Sequence, residues 1–468
     1  MAERGRRENA PPAGPPRTGR DLARQVLGRV ERDGAFANRA LAAALDRASE
    51  LSAPDRALAT ELVYGVLRRR ARLDRALDAV ADRGLKVPSD VRNVLRVGAY
   101  QLLFLDRIPS YAAVNDTVEA MKRQHGARMG GLANALLRRV AERGEPPLPD
   151  PKRDARAFLV DGCGFPDWLA RLCLRDLGDE RAVALATASG EAAPLALRAN
   201  RLAGITRDAL ERTLAAERPG AALAASAVAP DALLARGLDA PGTTEAFAAG
   251  AFAIEDVGAQ LVAELCGAAP GERILDACAG LGGKTAHLAA LAGNEASIDA
   301  LDLSDAKLRQ AGEQWARLRT SGIAARAADL TKDFPASSPR YHRVLLDAPC
   351  SGLGVLRRHP EVLFRRSEAD LTLLAATQRR MLDVVAPLVE PGGLLVYAVC
   401  TFDRAEGEEV VGAFLTAHPE FRPAPPPEGT AVPWRRLVAA PEAPHLIRLW
   451  PDRDDADAFF AARLQRSA

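Results

Sequence analysis

No apolar run in this chain approaches the ~20 residues needed to cross a bilayer. The N-terminus is polar and basic, without the apolar core of a signal peptide. Cysteine is scarce and scattered: the six residues form no C-x-x-C pair, which argues against a zinc cluster or a disulfide framework. The expectations are a cytoplasmic chain in a reducing compartment, no membrane partner and no metal. Two nucleotide signatures are also missing. Lys284-Thr285 suggests a P-loop, but G-x-x-x-x-G-K-[ST] needs glycine where Cys278 stands. The dinucleotide pattern G-x-G-x-x-G fails as well, because Gly280 and Gly282 are followed by Gly283 and then Thr285.

A chain of 468 residues has room for about three domains of roughly 150 residues each. Its 48% hydrophobic and 26% charged residues are those of an ordinary globular protein. Charge is unevenly placed. Residues 1–150 hold 27 Lys and Arg against 19 Asp and Glu, a surplus of 8; the remaining 36 against 42 leave a deficit of 6. A basic front end joined to an acidic remainder suggests that the front meets a polyanion.

Residues 1–18 are rich in Pro, Arg and Gly and are expected to be a disordered tail. From Gly19 the pattern is helical: Leu22, Val26, Leu27 and Val30 share one stripe, and Ser52 three residues before Asp55 reads as an N-cap. No strand pattern interrupts residues 19–144, so an all-α bundle is expected there. The Pro-rich stretch 145–152 reads as a linker. Residues 153–250 are a mixed, Ala-rich small α/β subdomain, with a short strand over Pro194–Asn200. From 251 to 468 strands alternate with helices, the pattern of a Rossmann-like α/β domain. Expected strands are Arg273–Ala277, Ser297–Leu303, Ala325–Ala328, Arg343–Leu346 and Gly393–Val399, with Ile447–Trp450 and Ala458–Arg463 closing the sheet.

The turn after the first of these strands is short and glycine-rich, Asp276-Ala-Cys278-Ala279-Gly280-Leu281-Gly282-Gly283-Lys284. Its glycines allow a ligand close to backbone amides. Asp302 ends the next strand, where a carboxylate can accept both hydroxyls of a nucleoside ribose; Asp329 ends the third and faces the adenine edge. A nucleoside site without a pyrophosphate clamp points to S-adenosylmethionine.

Two further strands each deliver a thiol at the carboxyl edge of the sheet. Arg343-Val-Leu-Leu-Asp347-Ala-Pro-Cys350 ends in one, and fifty residues on Leu394-Leu-Val-Tyr-Ala-Val-Cys400 ends in the other. That edge is where ligands sit in open α/β sheets, although a free cysteine is also a common small core residue. Carbon 5 of a pyrimidine is a poor nucleophile until a thiolate adds at C6, after which C5 accepts a methyl group and loses its proton as the thiolate leaves. Such chemistry requires an activated cysteine, a group for the N3/N4 edge and a nearby methyl donor. Asp347 suits the edge, and Lys284 places a cation near the base or a thiolate. Methylation of an amino group needs no cysteine.

These motifs, with Arg357-Arg-His-Pro-Glu361, resemble the RNA cytosine-5 methyltransferase family (Sun/Nol1/Nop2). Glu61-Leu-Val-Tyr-Gly-Val-Leu-Arg68, Val97-Gly-Ala-Tyr-Gln-Leu-Leu-Phe-Leu105 and Gly131-Leu-Ala-Asn-Ala-Leu-Leu-Arg138 resemble the NusB-like RNA-binding domain. The resemblance implies methylation of C5 of a cytosine in small-subunit ribosomal RNA, free or partly assembled, by a monomer. Alternatives are a transfer RNA cytosine or a non-catalytic antitermination-like module. It assigns Cys400 as the nucleophile on C6, Cys350 to product release, Asp347 to the cytosine edge and Lys284 to the site. The turn from Asp276 to Lys284, with Asp302, Asp329 and Asp347, would hold the cofactor. Arg198 and Asn200 resemble an RNA-facing strand of the family. Leu281 and Val399 depart from its usual residues, as does the pair Leu363-Phe364. His359 reads as a loop histidine, and Trp315 and Trp434 as packing residues.

Overall fold

In the computed structural model, residues 16–81, 84–332 and 339–468 are described; most of the expected tail, 1–15, lies outside them. The chain divides into two compact units, one running to Leu174 and taking in His359–Arg365, the other formed by Arg175–Arg358 and Arg366–Ala468.

The first unit is helical. Its main helices are Gly19–Asp33, Ala37–Arg47, Ala53–Arg68, Arg70–Ala79, Ser89–Phe104, Ser110–His125 and Ala127–Arg143. The apolar stripe Leu22, Val26, Leu27 and Val30 is buried against Leu62, Val66, Leu95 and Leu137, because residues spaced three and four apart share a helix face. The Ser52 hydroxyl accepts the Asp55 amide at 3.2 Å, capping the third of these helices. The inserted segment is built into this unit. Glu361 Oε1 accepts the Ala37 amide at 2.9 Å, His359 meets the Phe36 ring edge-on at 6.2 Å, and the Arg70 guanidinium covers Phe364 at 4.3 Å. Leu363 and Phe364 belong to this packing.

The second unit contains two sheets. Strands β1 (Leu195–Ala199), β2 (Ala222–Ala225), β3 (Ala232–Arg236) and β4 (Phe252–Ile254) form a small antiparallel sheet in the order β2-β3-β1-β4. The larger sheet comprises β5 (Arg273–Asp276), β6 (Ser297–Asp302), β7 (Ile323–Ala327), β8 (Tyr341–Asp347), β9 (Val389–Val399), β10 (Phe421–Pro423), β11 (Leu446–Leu449) and β12 (Phe459–Arg466). Its order is β10-β12-β9-β8-β5-β6-β7, with β11 paired to β12. Strands β5 to β9 run parallel and β12 is antiparallel to β9.

Alternation along these strands feeds two cores. Ile274, Leu345 and Val396 pack on one face, and Leu275, Val344, Leu346 and Tyr397 on the other. Each fully buried Leu or Val contributes roughly 1.5–3 kcal/mol. A one-residue slip would exchange the faces of a whole strand, so the register is firmly set. In that register Asp347 lies opposite Ala398, two residues before Cys400. The parallel order reverses at β5, whose neighbours are β6 and β8. Asp276, Asp302, Asp347 and Cys400 thereby gather around one carboxyl edge at a topological switch point.

Candidate active site

The turn after β5 is fixed from several sides. Its Ala279 amide donates to Leu301 C=O at 2.7 Å, and its Gly280 amide to Asp302 Oδ2 at 3.0 Å. Gly282 has φ +77°, and a Cβ there would lie 2.4 Å from the Trp315 indole nitrogen. That indole N–H donates to Gly282 C=O at 2.9 Å. Trp315 is therefore a packing residue whose packing supports the glycine turn from behind.

Asp302 and Asp329 end adjacent strands, with differing surroundings. Asp302 Oδ1 accepts the Ser304 amide at 2.8 Å, so its two oxygens are oriented by two loops. Asp329 is held by the Thr331 hydroxyl at 2.6 Å and by Thr331's amide at 3.0 Å. These bonds, with Lys332, bring its carboxyl down to about 2. Leu281 and Leu303 stand exposed beside them, at 52% and 75%. Apolar side chains open to solvent next to an oriented carboxylate suit a nucleoside, whose base stacks while its ribose hydroxyls donate. Asp276 is buried, its Oδ2 accepting the Thr285 hydroxyl at 2.7 Å. It shapes the turn from below. Cys278 is likewise held as a thiol, its pKa raised first by burial and then by Asp347, Asp276 and Asp302.

The two strand-end thiols meet. Cys350 Sγ and Cys400 Sγ are 3.2 Å apart. The loop that carries Cys350 folds back over Cys400, with the Gly354 amide donating to Cys400 C=O at 3.0 Å. A Cβ at Gly354 would lie 1.9 Å from Ala458 C=O, so this return needs glycine. The Cys350 pKa is raised well above that of an ordinary thiol. The hydrogen bond with Cys400 is the largest cause, followed by burial and the charges of Cys400 and Glu406.

Lys284 Nζ lies 2.6 Å from Asp347 Oδ2, so its ammonium serves this carboxylate. Burial alone would depress the lysine pKa; the Asp347 charge and hydrogen bond outweigh it and leave the pKa above the ordinary value.

Three residues that sequence reasoning passed over surround Cys350. Glu406 Oε2 accepts the Ser351 amide at 2.8 Å, Gln378 Nε2 donates to Pro349 C=O at 3.0 Å, and Arg366 donates to the carbonyls of Ser351 and Cys350 at 2.8 and 3.2 Å. Gln378 carried a readable signal, as a polar residue at an apolar position of the helix Glu368–Val385. Arg198 and Asn200 need correction as RNA-facing groups. Arg198 is buried against Glu255 at 2.5 Å, and Asn200 donates to Gly250 and Leu318 carbonyls at 2.8 and 2.9 Å. Both are structural.

Among the described residues one trio, Asp231, Glu264 and His287, has donor atoms close enough for a metal ion, all within 4.8 Å. Arg201 already pairs with Asp231 at 2.5 Å. Burial, then Arg198 and Arg201, push the His287 pKa well below the ordinary value.

A Rossmann-like sheet with a glycine turn, an oriented strand-end carboxylate and chemistry at the same edge defines a methyltransferase. The family model for 16S rRNA methyltransferase RsmB/F matches residues 265–465 and the NusB family model residues 17–142. A ribosomal RNA small subunit methyltransferase B from Thermus thermophilus is 37% identical over 96% of this chain and 98% of its own length. A probable one from Synechocystis is 34% identical over 96% and 99%. The chain belongs to the RsmB/F methyltransferase family, an S-adenosylmethionine-dependent group, and carries a NusB domain at its front. A solved structure named PH0851 shares the fold, at TM-score 0.77 and 23% identity over 97% of this chain and 99% of that one. NSun6 from Pyrococcus horikoshii shares it over 65% and 99%, at TM-score 0.56 and 20% identity. Among the described residues no helix is long and apolar enough to cross a membrane.

Proposed function

We propose that this protein methylates carbon 5 of a cytosine in small-subunit ribosomal RNA through a transient bond between Cys400 Sγ and C6 of the base. The observation that carries the reading is the 3.2 Å separation of the Cys350 and Cys400 sulfurs beside the Lys284–Asp347 pair. The relatives named above as small-subunit methyltransferases support the substrate class.

The turn from Asp276 to Lys284, with Asp302 and Asp329, would hold S-adenosylmethionine, which when bound would supply an electrophilic methyl group. Asp347, held by Lys284 at 2.6 Å, accepts from the exocyclic amine and holds the base edge. Cys400 gives up its proton and adds to C6, and the C5=C6 π electrons become available at C5, which takes the methyl. Release then breaks the Cys400–C6 bond while C5 loses its proton. Cys350 is placed to do both halves: its S–H protonates the departing Cys400 sulfur, and the resulting thiolate takes the C5 proton. Both thiols are restored, and the one proton released overall is that lost by Cys400 at the start.

The test is transfer of labelled methyl to small-subunit RNA, with bisulfite sequencing of that RNA from cells lacking the gene. Cys400→Ala is expected to abolish transfer, and Cys350→Ala to trap a protein–RNA adduct on a denaturing gel. Wild-type transfer by Cys400→Ala would overturn the reading.

A further inference from the structure

Glu406 is fully buried, lying six residues past Cys400 in the loop after β9. A buried carboxylate is costly unless it is well used. One oxygen, Oε2, takes two donors: the Ser351 amide at 2.8 Å and Gln378 Nε2 at 2.9 Å. Gln378 Nε2 also reaches Pro349 C=O at 3.0 Å. The peptide groups on both sides of Cys350 are thus tied to one carboxylate–amide pair. Glu406 is itself anchored to the other thiol's strand, since its carbonyl accepts the Tyr397 hydroxyl at 2.6 Å. Tyr397 precedes Cys400 by three residues on β9.

We propose that Glu406 is a positioning residue for the release step, its carboxylate aiming the Cys350 sulfur at Cys400 through the Ser351 amide and Gln378. The inference rests on the two-thiol reading above and adds a part to it. An acidic side chain in this place has a second effect, because its charge opposes ionisation of Cys350. Cys350 then waits as a proton donor while Cys400 bonds to the base. A neutral group of the same shape would preserve the aim and lose the charge, so the two effects separate by substitution.

The experiment uses the full chain, labelled S-adenosylmethionine and small-subunit RNA, comparing the first turnover with the steady state. Glu406→Ala is expected to leave the first methyl transfer within about 3-fold of wild type while slowing the steady state at least about 10-fold, with adduct building up. Glu406→Gln, which keeps an acceptor for Ser351, is expected to regain most of the steady-state rate and to shift its pH profile toward lower pH. In a Cys350→Ala background, Glu406→Ala is expected to add nothing, since both act on one step. Where Glu406→Ala fails to fold, Gln378→Met cuts the second tether and is read the same way. Parallel loss of first-turnover and steady-state rates, or additive losses with Cys350→Ala, would overturn the proposal. Absence of adduct in Cys350→Ala alone would instead sink the two-thiol reading on which it stands.

Discussion

Lys284 Nζ and Asp347 Oδ2 form an ion pair of 2.6 Å that joins the glycine turn after β5 to the end of β8. One element holds the cofactor in the proposed mechanism and the other the base, so this contact sets the distance between donor and acceptor. Lys284→Met leaves Asp347 without its counter-charge and unties the glycine turn from the end of β8. Loss of a charged group that orients substrate is expected to lower kcat/KM by about 10²–10³. Because the lysine pKa is raised, its ammonium stays charged through neutral pH; the wild-type rate at pH 6–9 is expected to show no limb due to Lys284. Steady-state kinetics of wild type and variant across that range check both points.

Asp276 makes stability depend on pH. Burial is the largest cause of its raised value, about 6 against the usual 3.8, only partly offset by the Thr285 hydroxyl and Lys284. The folded state therefore holds this proton more tightly than the unfolded chain. Its contribution is full below pH 4 and is lost as pH rises through 6, a cost of at most about 3 kcal/mol above that point. Asp276→Asn, which can still accept from Thr285, is expected to raise the melting temperature more at pH 8 than at pH 5. Equal shifts at the two pH values in thermal unfolding would count against this assignment.

Two sulfurs at 3.2 Å need to close by little more than an ångström to reach the roughly 2.05 Å of a disulfide. Hydrogen peroxide is expected to oxidise Cys350 and Cys400 to one disulfide, each peroxide yielding two waters. Methyl transfer should stop and return on addition of dithiothreitol. Peptide mapping by mass spectrometry checks the pairing. A map in which transfer has stopped while Cys350 and Cys400 are unpaired, or paired with other cysteines, would place the oxidation elsewhere.

The strands that carry chemistry were legible because each is an apolar run stopped by a polar residue: Asp276, Asp302, Asp347 and Cys400 were all found at the expected edge. Their mutual placement was not. It depends on register, and pairing Asp347 with Ala398 is a property of two strands that no single stretch encodes. Glu406 and Arg366 escaped for a related reason, since a charged residue in a loop looks solvated until the fold buries it. Arg198 shows the same failure from the other side, its guanidinium reading as a surface group while Glu255 neutralises it inside. The small sheet was seen only in part, because β2 and β3 are alanine-rich and show no alternation.

The first unit takes seven residues from late in the chain, with Glu361 capping the helix that begins at Ala37. No single scissor cut in the polypeptide therefore separates the two units cleanly. A fragment starting at Arg175 would keep Val362, Leu363 and Phe364 after discarding Phe36 and Arg70, leaving a greasy loop with nothing to cover it. Poor behaviour of such a fragment would reflect that orphaned loop, and would say nothing about whether the helical part is needed to recognise RNA.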